Sequence, residues 1–240
     1  MSFHCSSSRR IPAVFACAWR AVHLIVFFGY FSYDIFDMIQ QYADALHGLV
    51  QNAVATTSAG VSRALPLAFE DWFSLMSDVR ARNKKVLFIG NGGSAAIANH
   101  KALDYTNAGD VRSISFTDPS LLTCFGNDFS YENIFQKSVS YYADAGDMLV
   151  AISSSGSSQN ILRGVAEARK KQCGVITFSG FAKANPLRAM GDLNFYAPSE
   201  NYTLVENAHE ILLDAFLACW LHPRFKGEAA SPHITFTPPV

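Results

Sequence analysis

Residues 86–94 read Val86-Leu87-Phe88-Ile89-Gly90-Asn91-Gly92-Gly93-Ser94, and residues 146–158 read Gly146-Asp147-Met148-Leu149-Val150-Ala151-Ile152-Ser153-Ser154-Ser155-Gly156-Ser157-Ser158. In each, a short continuous apolar run is cut off by glycine and serine. Such a run has the length of a strand and no polar alternation, which predicts a strand buried on both faces, as in a parallel sheet. Helical spacing resumes after both turns, over residues 94–105 and 159–171. The two segments are therefore two strand–turn–helix units of one sheet.

The same alternation extends in both directions. Residues 113–116 predict a weak strand, residues 120–125 and 131–142 helix, Gly174-Val175-Ile176-Thr177-Phe178 a strand, Leu193-Asn194-Phe195-Tyr196 another, and residues 204–221 a long last helix. Upstream, apolar residues between Ile39 and Leu75 recur at helical spacing. They predict two helices, with the polar stretch Thr56-Thr57-Ser58-Ala59-Gly60 near their junction. The expected fold class is α/β: a three-layer sandwich with a mostly parallel sheet flanked by helices, preceded by N-terminal helices. Three segments are expected: residues 1–37 as an extension, 38–222 as the domain with its N-terminal helical hairpin, and 223–240 as a proline-rich disordered tail. Residues 11–31 are apolar apart from Arg20 and His23, which interrupt the run as a membrane span, and Met38 is the expected translation start.

Bulk properties narrow the partners. The 240-residue chain is 50% hydrophobic and 16% charged, with a formal net charge of −1. A phosphate backbone needs a basic face, so nucleic acid is not an expected partner; nor is a membrane. Cys5, Cys17, Cys124, Cys173 and Cys219 form no C-x-x-C pair and no disulfide framework, which fits a reducing, cytoplasmic setting. In an open parallel sheet, ligands bind beyond the carboxyl ends of the strands. Both glycine/serine turns sit there and enter helices whose N-termini favour an anion. Neither turn matches G-x-G-x-x-G or the Walker pattern, so a simple phosphate monoester suits them better than a nucleotide.

These motifs, with Gly126-Asn127-Asp128-Phe129 and Val175-Ile176-Thr177-Phe178-Ser179-Gly180, resemble the sugar isomerase (SIS) domain. Within that superfamily, their order and spacing resemble the sedoheptulose-7-phosphate isomerases, also called phosphoheptose isomerases, from about Met38 to Trp220. The resemblance implies sugar-phosphate contacts from Asn91, Gly92, Gly93, Ser94, Asn127, Asp128, Ser153, Ser154, Ser155 and Ser158, with Glu206 beside them. It also implies a zinc site. His100 matches the first ligand; Asp104 stands where the family has Glu, Glu206 where it has Gln, and Asp214 where it has the last His. His209 lies between these two, so His100, Asp104, Glu206 and His209 are the expected zinc set. Aldose–ketose isomerisation needs a base over C1 and C2. By resemblance Asp104 is the base, with His209 or Asp214 as the acid. Further implications are a homotetramer and a product feeding surface-polysaccharide synthesis. Two other readings stay open, an isomerase of another ketose phosphate and a non-catalytic SIS binding module.

Overall fold

The computed structural model describes residues 35–222. The apolar stretch at 11–31 and the tail from Pro223 lie outside the described residues, as do Cys5 and Cys17. The chain divides into two units, Met1–Asp44 and Ala45–Val240. Helix α1 (Ile35–Gln51) begins in the first; its early residues Ile35, Met38 and Ile39 are exposed.

Between α1 and α2 (Leu65–Ala81) the polar stretch is not a plain junction. It forms strand β1 (Val54–Thr57), which turns back through β2 (Ser62–Arg63). Strand β1 pairs antiparallel with the last strand, and Ala55 is completely buried. Four residues with one bulky apolar side chain carry too little pattern to be read as a strand alone.

From there the expected alternation holds: β3 (Val86–Gly90), α3 (Gly93–Asn107), β4 (Ser113–Ser115), α4 (Pro119–Phe129), α5 (Ile134–Tyr142), β5 (Met148–Ser153), α6 (Gln159–Lys170), β6 (Gly174–Ser179), β7 (Leu193–Tyr196) and α7 (Tyr202–Leu221). The sheet has the order β2-β1-β7-β6-β5-β3-β4. Strands β4, β3, β5, β6 and β7 are parallel, and β1 alone runs against them, since β2 turns back antiparallel to β1.

Because successive side chains of a strand face opposite ways, the central strands feed two cores. Val86, Phe88, Val150, Ile152, Ile176 and Phe178 meet α2, α3 and α7 on one face. Leu87, Ile89, Leu149, Ala151 and Val175 meet α5 and α6 on the other, with Leu121 and Phe125 of α4 at its margin. This is the three-layer sandwich. On the first face Trp72 of α2 is fully buried, its ring stacked 3.7 Å from that of Phe216 on α7. Phe178 and Phe195 lie against the same indole at 5.8 and 5.6 Å.

Trp72→Ala is expected to lower unfolding free energy by about 3–5 kcal/mol, the range for truncating a large buried aromatic. Urea denaturation with an unchanged m value checks this; a loss below about 1 kcal/mol would contradict the packing role given to Trp72.

Candidate functional site

The chain leaves β3 for β4 on one side and returns to β5 on the other. The space beyond the ends of β3 and β5 is therefore a topological switch point, where open α/β sheets bind ligands. The parallel register sets Gly90 opposite Ile152, so residues 91–94 and 153–158 emerge side by side. Two reciprocal hydrogen bonds join the turns: Asn91 Nδ2 donates to Asn160 Oδ1 at 2.9 Å, and Asn160 Nδ2 donates to Asn91 Oδ1 at 2.8 Å. Tyr131, in a short 3-10 turn after α4, donates its hydroxyl to Asn91 Oδ1 at 3.1 Å.

The N-cap positions of α3 and α6 supply no side-chain cap, although Asn160 Oδ1 accepts from the Ile161 N–H at 3.0 Å inside the first turn of α6. Gly92 is the N-cap of α3 and Ser158 that of α6, and neither position makes a side-chain capping bond. Ser94 lies inside the first turn of α3 and is buried. First-turn N–H groups have no intrahelical acceptor, so those of Gly93 and Ser94 are left for an anion. In the second turn, Ser153 Oγ accepts from the Gly156 N–H at 3.2 Å, and Ser155 Oγ accepts from the Ser157 hydroxyl at 3.2 Å. Ser154 Oγ is buried and has no partner among the described residues, so its hydrogen-bonding capacity is open. Gly156 has φ +62°, a left-handed conformation that suits glycine, and a Cβ there would overlap the Asn185 side chain.

Helix α7 runs parallel to α3 along the same face. A Cβ on Gly93 would collide with the Glu206 carboxylate, which brings Glu206 to the rim of the cradle. Burial raises the Glu206 pKa above the usual carboxylate value. Farther along, His100 Nδ1 faces Glu210 Oε1 at 2.9 Å and His100 Nε2 faces Asp104 Oδ2 at 3.2 Å. The Lys101 side chain, with no exposed surface, puts its ammonium between Asp104 Oδ2 at 3.1 Å and Asp214 Oδ1 in close contact, with Glu210 Oε1 at 3.8 Å. Burial alone would depress the Lys101 pKa, but its hydrogen bonds to Asp214 and Asp104 outweigh that and raise it. Still farther along, the Tyr105 hydroxyl donates to Leu213 O at 3.2 Å.

His209 lies apart from this cluster. Its ring is fully buried against Phe178, and Nε2 donates to the Ser179 carbonyl at 3.0 Å. A carbonyl only accepts, so Nε2 carries the hydrogen and Nδ1 holds a bare lone pair without a partner among the described residues. Asn127 and Asp128, at the exposed end of α4, bond to each other at 2.9 Å. The geometry thus brings Asn91, Gly93, Ser94, Ser153, Ser154 and Ser155 to one rim with Glu206. It gathers His100, Asp104 and Asp214 along α3 and α7, and leaves His209 beneath β6. Sequence reading missed Asn160, Tyr131 and Glu210.

Zinc would need several donors converging with free lone pairs. Both His100 ring nitrogens already face carboxylates, His209 is sealed away, and an ammonium stands among the aspartates. Among the described residues no group of three or more His, Cys, Asp or Glu side chains is arranged to hold a metal ion. The donor set present does not fit zinc.

Residues 41–180 match the SIS domain family. A phosphoheptose isomerase of Sodalis glossinidius is 34% identical over 167 residues, spanning 67% of this chain and 86% of the relative. The solved structure of a phosphoheptose isomerase from Neisseria gonorrhoeae superposes with a TM-score of 0.66 at 28% identity, covering 78% of this chain and 97% of that one. One from Francisella tularensis gives 0.67 at 26% identity, covering 78% and 98%.

Burial pushes the His209 ring down to about 4, against the upward pull of its bond to Ser179. The unfolded chain takes up that proton near pH 6.5, whereas the folded ring resists until about 4. This stability is complete above pH 6.5 and is lost as pH falls toward 4, by up to roughly 3 kcal/mol. Urea unfolding at several pH values is expected to show a shallower decline across that window for His209→Gln than for wild type. Identical slopes would contradict the assignment.

Proposed function

This chain belongs to the SIS-domain family and, within it, to the phosphoheptose isomerases, and from that premise we propose that it interconverts sedoheptulose 7-phosphate and a D-glycero-heptose 7-phosphate. The coarser activity, phosphosugar isomerisation, follows from the family. The carrying observation is the paired serine/glycine turns at the switch point, locked by Asn91 and Asn160 with N-cap positions on both sides that supply no side-chain cap. A phosphate dianion there meets first-turn amides of α3 and α6, the positive helix ends, and the Ser154 and Ser155 hydroxyls. No basic side chain is needed in this arrangement, which agrees with a chain of net charge −1.

Isomerisation then requires one proton to leave C1 of the ketose, giving an enediolate, and a proton to be delivered to C2. The C1 hydroxyl oxygen becomes the aldehyde oxygen and the C2 carbonyl becomes a hydroxyl, so no atom is gained or lost. On this reading Asp104 removes the proton from C1 and returns one to C2, and the Asp214 carboxylate takes the proton of the O1 hydroxyl and passes it to O2. Both touch the Lys101 ammonium, so their positions are fixed relative to each other. The burial of His209, with Nε2 committed to Ser179, favours Asp214 over His209 as the acid. No helix among the described residues is long and apolar enough to cross a membrane. A cytoplasmic homotetramer feeding surface-polysaccharide synthesis is part of this proposal, supported by the family alone.

Incubating the purified chain with sedoheptulose 7-phosphate in D2O is expected to give the aldose phosphate by NMR, with deuterium at C2. Asn91→Ala is expected to raise KM about tenfold or more, the scale of losing hydrogen-bonded support for a charged group. Binding without turnover would contradict the isomerase reading and favour a non-catalytic sugar-phosphate module.

A further inference from the structure

Lys101 is anomalous by position. It shares the inward face of α3 with Ile97, Ala98, Ala102 and Tyr105, all buried, and its own side chain has no exposed surface. Full burial of lysine is rare without paired charges, and here the pairs are present. Asp104 on the same helix, Asp214 on α7 and, more distantly, Glu210 on α7 surround the ammonium. Glu210 also meets His100, which meets Asp104. Two cationic or proton-carrying groups from α3 are thus interleaved with three carboxylates from two helices. A divalent ion placed among Asp104, Asp214 and Glu210 would have to displace or closely approach a full positive charge.

We propose that the Lys101 ammonium is the resident cation of this site, a positioning residue that holds Asp104 and Asp214 and makes the chain independent of a bound divalent metal. Lysine serves as a compact point charge with three donors, which can bridge carboxylates from different elements at once. It neutralises charge that would otherwise drive the two carboxylates apart, and it fixes their separation, on which proton transfer to a shared substrate depends. Glu206 lies against Gly93, at the rim of the phosphate cradle. The catalytic consequence rests on the isomerase reading; the metal consequence does not.

Two arms test it on the full chain. In the first, wild type is analysed for metal after purification and melted with and without added zinc. No stoichiometric zinc and an unchanged Tm are expected; one zinc per chain, whose removal by a chelator lowers the Tm, overturns the proposal. In the second, Lys101→Met and Lys101→Arg are compared by steady-state kinetics with sedoheptulose 7-phosphate, folding being checked by circular dichroism. Lys101→Met is expected to lose about 100-fold in kcat with KM changed less than about threefold, because the phosphate cradle is untouched. Lys101→Arg, or small alkylammonium ions added to Lys101→Met, is expected to restore part of the loss. A folded Lys101→Met with wild-type kcat overturns the proposal. Should Lys101→Met not fold, the wild-type zinc arm and Lys101→Arg decide: wild-type-like melting with reduced but measurable kcat supports it, and loss of all kcat in folded Lys101→Arg overturns it. If wild type shows no turnover, the isomerase reading fails while the zinc arm still decides the role of Lys101.

Discussion

The parallel pairing of β3 with β5 is the constraint on which the rest of the structure depends. Its register alone decides that the turn after Gly90 and the turn after Ser153 leave the sheet as neighbours. A slip of one residue would invert which side chains reach each core, so the two hydrophobic layers fix the register, and the register fixes the cradle. The Asn91–Asn160 pair then acts as a local seam. Each such bond contributes about 0.5–1.5 kcal/mol, small beside the core but enough to hold two flexible turns in one arrangement. With neither N-cap position supplying a side-chain cap, the stabilisation such a cap would give is left to a ligand.

The second organising feature is the parallel packing of α3 and α7, bounded by Glu206 at Gly93 and by the Trp220 Nε1–H bond to the Gly109 carbonyl at 2.9 Å. Between these ends the interface is not uniformly apolar. Its middle carries Lys101 and the carboxylates around it, while Tyr105, Leu213 and Phe216 seal it below. Leaving a buried charge unpaired typically costs about 3–5 kcal/mol. Asp104 and Asp214 remove that cost for Lys101, and on the proposed reading they are also the groups that move protons. His209 contributes differently: neutral and buried, it ties α7 to the end of β6, next to the strand end that bears Ser153.

Much of this was legible from residue pattern. Strands β3 and β5 were placed to within a residue, because continuous apolar runs ended by glycine or serine admit few alternatives. The β1–β2 hairpin was not legible, since Val54-Ala55-Thr56-Thr57 becomes a strand only by pairing with β7, a contact with no local signal. In the site, serines and glycines announce themselves by clustering, but Asn160 acts through a partner 69 residues away. Lys101 did carry a signal: it interrupts the apolar face formed by Ile97, Ala98, Ala102 and Tyr105. What its spacing could not tell was that Asp214, on another helix, would meet it.

The most direct test of the account is a crystal structure of this chain with sedoheptulose 7-phosphate. The phosphate oxygens are expected within hydrogen-bonding distance of the Ser154 and Ser155 hydroxyls and the first-turn amides of α3 or α6. The sugar's C1 and C2 would then point toward Asp104. A phosphate bound away from both turns, or reached chiefly by lysine and arginine side chains, would contradict it.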